Sequence, residues 1–232
     1  MQRSILLLPP WAEELNRCRY WLACQARYWQ QQGIATLIVD LYGTGDSHGD
    51  FADARLDIWH DNLNEQWQWL TEQTGVAPWL WAVRGGSLFL PQLMLLDSPG
   101  WLLWQPLLRG DHWLNQWLRM KFIQQQMTKQ PVTMGNLRQQ LMEQGLTMGG
   151  YFWSAALAKQ LTTLRLDAAG LLPKRIIWQS LQTLSPAEYK LLIAWQQTTH
   201  CVHNHWPSGP FWQMPAALIN NELLQAPWPC HG

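Results

Sequence analysis

The residues best placed to do chemistry stand at the end of an apolar run, Pro78-Trp79-Leu80-Trp81-Ala82-Val83-Arg84-Gly85-Gly86-Ser87. The spacing predicts a strand over 78–83 that runs into a turn of small residues. An apolar helix should follow through Ser87-Leu88-Phe89-Leu90 and Leu93-Met94-Leu95-Leu96. This is the layout of a nucleophile elbow, Gly-x-Ser-x-Gly, which lifts a serine to the top of a sheet. Laid on this chain, the pattern puts Ala82 at its first glycine, Gly86 at its last and Arg84 where the serine should be. A guanidinium stays protonated at neutral pH and has no nucleophilic role. Together with Gly85 and the N–H groups of a helix start, Arg84 would instead favour a carboxylate, phosphate or sulfate. The other reading is an internal ion pair of Arg84 with Glu13 or Glu14, because a buried arginine without a partner is costly.

The partners that a serine mechanism needs are missing as well. Such a mechanism requires a histidine to take the proton and an acid to orient it. The later strands end in Gln105-Pro106 and Trp178-Gln179-Ser180-Leu181, with no carboxylate. His203 and His205 fall within the last predicted strand, while the loop beyond reads Pro207-Ser208-Gly209-Pro210-Phe211. Ser87 falls in the first helical turn after the elbow, and no catalytic residue is assigned. Asp46 and Ser47 sit among glycines, where a turn role is expected, although Glu13 with Asp46 would make a carboxylate pair for acid–base work. Asp50 and Asp53 read as caps of the next helix, and Arg109-Gly110-Asp111 as a turn and a cap. Cys201, His203 and His205 alternate onto one strand face and are zinc-ligand types. Structural zinc sites usually draw close pairs from turns, however, and Cys230-His231 lies at the terminus. No metal and no cofactor is expected.

These residues need a scaffold, and the apolar pattern supplies one. Ser4–Leu8 reads as a buried strand ended by Pro9-Pro10. A helix with Leu15, Cys18, Leu22 and Trp29 on one face follows and ends at Gly33. Residues 34–40, Ile-Ala-Thr-Leu-Ile-Val-Asp, are continuous, apolar and β-branched, as a parallel strand covered on both faces should be. The next helix carries Leu56, Trp59, Leu63, Trp67 and Leu70, and stops near Gly75. Strands at 78–83 and 101–105 continue the alternation, which predicts a parallel sheet flanked by helices. From about 107 to 170 no strand is evident; turns at Gly135, Gly145 and Gly149-Gly150 separate helical stretches, and a lid is expected there. The alternation resumes at Arg175–Ser180. Ser185-Pro186-Ala187-Glu188 is a capping box with proline at the first helical position. A last strand is expected at 201–206 and a closing helix at 215–225.

Composition narrows the function classes. The 232 residues fit a single domain with a lid, and a formal net charge of zero argues against nucleic-acid binding through a basic face. Eighteen tryptophans point to a core rich in indoles, with some left for an interface or a pocket for apolar ligands. The N-terminal apolar run is too short for a signal peptide, no segment is long enough to span a bilayer, and the four cysteines show no Cys-x-x-Cys spacing. A reduced, cytoplasmic protein is expected.

Several loops also resemble a known group. Pro9-Pro10-Trp11-Ala12-Glu13-Glu14-Leu15-Asn16, Asp40-Leu41-Tyr42-Gly43-Thr44-Gly45-Asp46-Ser47 and Gly49-Asp50-Phe51 are similar to the loops after two successive strands of an α/β-hydrolase. More narrowly, the chain resembles the second family of hydrolase-like proteins associated with the exosortase A system of bacteria. Leu103-Trp104-Gln105-Pro106, Leu184-Ser185-Pro186 and Gly209-Pro210-Phe211-Trp212 add to the match, and that family also tends to carry arginine at the elbow tip. The resemblance implies an α/β-hydrolase-like, mostly parallel sheet with an inserted helical lid, in a setting of exopolysaccharide synthesis and sorting of exported proteins. It does not identify a reaction. Relatives have two antiparallel strands before the first one seen here. Without them the strand at 34–40 becomes a sheet edge, and either a lid segment or a second chain is expected to cover it, or a further N-terminal segment preceding this sequence supplies the two strands. A pocket for a small anionic or acylated ligand, or for a partner protein, is expected above Arg84. It would lie between the Glu13-Glu14 loop, the Tyr42–Ser47 turn and the lid, with His205 as a further candidate.

Overall fold

Runs of apolar residues can be covered on both faces of a sheet, and in this chain they become its inner strands, while the last strand, His200–His205, is largely polar. The structure, a computed structural model, describes residues 3–93, 97–127, 132–167, 172–206 and 209–213. The elements are β1 (Arg3–Leu8), α1 (Glu13–Gln31), β2 (Ile34–Leu37), α2 (Leu56–Thr74), β3 (Trp79–Val83) and β4 (Trp101–Trp104). They continue with α3 (Gly110–Met127), α4 (Met134–Glu143), β5 (Leu146–Met148), β6 (Tyr151–Trp153) and α5 (Ala155–Thr163), then β7 (Arg175–Ser180), α6 (Pro186–Thr198) and β8 (His200–His205). Six strands pair in the order β2-β1-β3-β4-β7-β8, all in parallel.

The chain divides into two compact units. The first comprises Met1–Val39, Leu63–Leu108 and Leu166–Gly232; the second comprises Asp40–Asn62 and Arg109–Arg165. The six-stranded sheet belongs to the first unit. One side of its core is built on indoles: the Trp29 and Trp81 rings meet edge to face at 4.7 Å, and Trp81 meets Trp104 at 4.9 Å. Such pairs add roughly 0.5–1.5 kcal/mol each beyond burial. In the second unit Phe51 packs on Tyr151 and Trp153, and Trp153 on Trp113, with centroids 4.7–4.8 Å apart.

Four expectations are corrected. The strand read over 34–40 stops at Leu37. The segment after the elbow, Arg84–Gln92, is a 3-10 helix, in which each N–H reaches back three residues rather than four. Pro91 has no N–H to donate to the Ser87 carbonyl, and Gly85-Gly86 are weak α-formers. The stretch read as free of strands holds an antiparallel hairpin, β5–β6, closed by Gly149 and Gly150 at φ 58° and 83°. Two glycines at positive φ suit a tight two-residue hairpin turn. Asp111 lies in the first turn of α3, where its carboxylate accepts from Arg109 at 2.6 Å and faces Arg165 at 3.3 Å.

Other readings hold. Leu15, Cys18, Leu22 and Trp29 are the buried face of α1. The capping box at Ser185–Glu188 is formed in both directions. The caps read at Asp50 and Asp53 hold only in part: Asp50 caps not α2 but a short 3-10 turn ahead of it, Phe51–Asp53, by accepting the Ala52 N–H, and Asp53 is the last residue of that turn. The residues 34–37 do form an edge strand, paired with β1 alone. Met94–Leu96, the Pro207-Ser208 loop, the helix expected at 215–225, Cys230 and His231 lie outside the described residues.

Candidate functional site

The carboxyl ends of the strands gather the unusual backbone of this chain. Among the described residues, three that are not glycine take a positive φ: Ala12 after β1 at 50°, Arg84 after β3 at 52°, and Gln105 after β4 at 41°. Each such residue costs of order 1–3 kcal/mol and persists only where its surroundings enforce it. At Arg84 the enforcement is steric. A Cβ on Gly86 would lie 2.0 Å from the Leu8 carbonyl oxygen, so only glycine lets the turn pass this close to the end of β1. A Cβ on Gly85 would meet the Trp11 ring at 2.7 Å. The elbow is therefore intact as backbone, with arginine at its tip.

Arg84 already has an anion. Its Nε and one terminal nitrogen each donate to one oxygen of Glu14 at 3.2 Å, in a two-pronged pair. Both side chains are nearly sealed from solvent, 6% and 5% exposed. The guanidinium also lies over the Trp212 ring, 4.1 Å from its centroid. Trp212 sits in Gly209–Gln213, a segment fastened by the Arg17 guanidinium donating to the Gln213 carbonyl at 3.0 Å. Glu14 stands in the first turn of α1, where the helix dipole favours a carboxylate. One turn on, the Cys18 thiol is pushed well above its ordinary range by burial and then by the Glu14 charge, so it stays protonated.

Glu13 does not join this pair; it accepts from Arg17 at 3.0 Å on the outer side of α1. Ser87 is wholly buried and serves as a staple. Its hydroxyl faces the carbonyl oxygens of Arg84 and Leu107, both at 2.8 Å, and accepts the Leu107 N–H at 3.0 Å. Gln105 plays a similar part: its side-chain oxygen accepts the N–H groups of Leu181 at 2.8 Å and Gln182 at 3.2 Å, which ties the loop after β4 to the loop after β7.

At the end of β7, Ser180 is fully buried, and its Oγ lies 2.9 Å from His203 Nε2 and 3.1 Å from His205 Nδ1. Burial and then the His205 charge hold His203 below the usual histidine range. A serine hydroxyl can orient an imidazole, but it has no charge with which to stabilise an imidazolium. Cys201, on the same strand, is pushed up to about 11 by burial. Among the described residues no three His, Cys, Asp or Glu side chains come together to hold a metal ion.

Tyr42, Asp46 and Ser47 belong to the second unit and build a turn there. The Tyr42 N–H donates to Asn62 at 2.9 Å, the Asp46 N–H to the Asp40 carboxylate at 3.0 Å, and the Ser47 N–H to the Thr44 carbonyl at 3.0 Å. The Tyr42 ring covers Gly49, which has φ 92° and where a Cβ would come within 2.2 Å of that ring. Of the residues singled out from the sequence, the structure therefore joins Arg84 and Glu14 and gives Glu13 and His205 other partners. Trp212, Ser180 and Gln105 went unassigned as contacts. Only Ser180 had a local signal, the alternation that aims His203 and His205 at one face.

No protein-family model matches the sequence, and no curated protein does. Solved structures do. Over 88% of this chain and 78% of the other, it superposes on Est1E from Butyrivibrio proteoclasticus, a structure with ferulic acid bound, with a TM-score of 0.57 and 16% identity. The metagenome-derived lipolytic enzymes LipS and LipT give 0.55 at 13% identity, over 96% and 89%. The esterase EaEST from Exiguobacterium antarcticum gives 0.54 at 11% identity, over 88% and 83%. The fold is that of the α/β-hydrolases. At these identities the likeness concerns the fold, and the chemistry has to be argued from the site.

Proposed function

We propose that this protein binds rather than hydrolyses. In this reading it is an α/β-hydrolase-like protein of the exosortase A and exopolysaccharide setting, without a Ser-His-Asp triad, that engages a partner protein or an anionic or acylated ligand. One observation carries the reading: the elbow tip holds Arg84, and Glu14 already neutralises it in a site sealed from water. Neither group is left to attack, donate or accept a proton. An anionic ligand would have to displace Glu14, so the closed pair favours a partner protein over a ligand. The free thiols of Cys18, Cys24 and Cys201 support a cytoplasmic location.

A second reading, an esterase or thioesterase with rearranged groups, is favoured by the contact between Ser180 and His203. It is weaker because Ser180 is inaccessible and gains no carboxylate partner through that contact. Turnover of p-nitrophenyl esters separates the two. We expect none above the rate of free imidazole; turnover that survives Arg84→Ala and is lost in His205→Ala would establish the second reading. Native mass spectrometry then divides the binding class. The mass of the chain alone supports a protein partner, whereas an added small anionic or acylated molecule supports a ligand.

A further inference from the structure

In the second unit, helix α3 extends beyond its own packing. Its buried residues are Gly110, Trp113, Leu114 and Leu118, and none of residues 119–127 is buried. A solvent-facing extension of this kind is ordinarily polar all round. This one carries Met120, Ile123 and Met127, which are 45%, 56% and 81% exposed. Spacings of three and four put them within about 60° of one another around the axis, on the side opposite Leu114 and Leu118. The stripe is therefore a second apolar face of α3, separate from the buried one. Its charge is one-sided as well. Between residues 112 and 142 the sequence has no Asp or Glu, while Arg119, Lys121, Lys129 and Arg138 are basic. Arg119 and Lys121 flank Met120, and Arg138 of α4 donates to Asn115 of α3 at 2.8 Å, which adds a cation to the same helix pair. A chain of zero formal net charge thus has a local face that is both apolar and positive.

We infer that the C-terminal half of α3 lays this face on an anionic lipid surface. Charge complementarity names the occupant. Phosphate headgroups attract Lys and Arg, whose long stems let the charged ends reach them while apolar neighbours sink below. A helix held in this way lies in the plane of the interface with its apolar side about 5–10 Å deep. The shape agrees: a convex helix side with two flexible thioethers needs no matching pocket, and a fluid layer adapts to it. Anchors of protein interfaces are chiefly Trp, Tyr and Arg, and residues 119–127 contain no Trp or Tyr. Among the described residues no helix is long and apolar enough to cross a membrane, so the contact is with the surface. Headgroup attraction and apolar burial are each weak alone, which makes the attachment reversible and dependent on both. It uses neither Arg84 nor Glu14 and stands independently of the reading of that pair.

Co-sedimentation of the full chain with vesicles tests this. Vesicles of phosphatidylglycerol and phosphatidylcholine in equal parts should bind it about tenfold more tightly than vesicles of phosphatidylcholine alone, and high salt should weaken that binding. Ile123→Gln/Met127→Gln and, separately, Arg119→Gln/Lys121→Gln should each weaken it by about tenfold. None of these four side chains is buried, so both variants should unfold at the temperature of the unmodified chain. If the apolar variant melts lower, Met127→Glu, at the most exposed of these positions, takes its place with the same expected loss. No binding to the anionic vesicles, equal binding to both compositions, or full binding by either variant overturns the surface. Self-association that Ile123→Gln/Met127→Gln abolishes, with no vesicle binding by the unmodified chain, would assign the face to a second copy instead.

Discussion

In the reading proposed above, Arg84 and Glu14 mark a catalytic position that is retired without being dismantled. The turn has a positive φ and a close approach to β1, and the side chain at its tip is half of an ion pair. Removing one member of a buried pair leaves the other charged in an apolar setting, which costs about 3–5 kcal/mol, whereas replacing both by apolar groups is often neutral. Urea unfolding should therefore show Glu14→Ala and Arg84→Ala each losing stability on that scale, with Arg84→Met/Glu14→Leu recovering most of it. Single variants as stable as the unmodified chain would mean that the pair is not sealed. Arg84 at the tip was legible in the sequence because the elbow is a local pattern. The choice of Glu14 over Glu13 was not. It depends on which side of α1 faces the core, and two adjacent carboxylates differ by about 100° around a helix axis. Trp212 was legible only as part of a loop motif, since nothing in its neighbours shows that its ring will cover a guanidinium far away along the chain.

Elements with their signals inside a few residues formed as read. Ser185, Pro186 and Glu188 specify a helix start within four positions, and the start is there. Three-residue strands are too short to show alternation, so β5 and β6 had only Gly149-Gly150 to announce them. The 3-10 segment after the elbow departs from the expected helix because proline and paired glycines oppose an α-helical ladder. Close packing of that segment on β1 yields a sharp expectation: Gly86→Ala forces a Cβ against a carbonyl and should destabilise by about 3 kcal/mol or more, read as a lowered melting temperature or loss of soluble protein. In the second unit, the hydrogen bond from Arg109, helped by the Arg165 charge, holds the Asp111 carboxyl below its ordinary range. A carboxyl depressed in the folded state contributes stability above its unfolded value and loses it as pH falls through the folded one. Stability should accordingly fall below about pH 4, and Asp111→Asn should show a smaller fall over the same window. An unchanged acid limb in that variant would assign the acid sensitivity to other groups.

At the scale of the molecule, an all-parallel sheet ends on one side in β2, a short strand paired only with β1 and free of charge or proline. Natural edges are usually blunted by such residues. We propose that a second copy or a partner chain pairs there. Light scattering behind a sizing column should then give a dimer or larger species that Ala35→Lys returns to the monomer; a monomer at every concentration would remove the homodimer and leave a different partner. The parallel pairing was readable from the alternation of apolar strands and helices, whereas the strand order was not; nor was the division into two compact units, because it joins Asp40–Asn62 to Arg109–Arg165 across a long sequence gap. The central claim concerns chemistry: an α/β-hydrolase fold whose elbow holds a neutralised arginine and no activated serine. Treatment of the folded chain with a fluorophosphonate, followed by mass spectrometry, tests it most directly, because the reagent phosphonylates, with loss of fluoride, only serines made nucleophilic by their surroundings. No adduct on any serine is the predicted result, and an adduct on Ser180, Ser87 or another serine would contradict it.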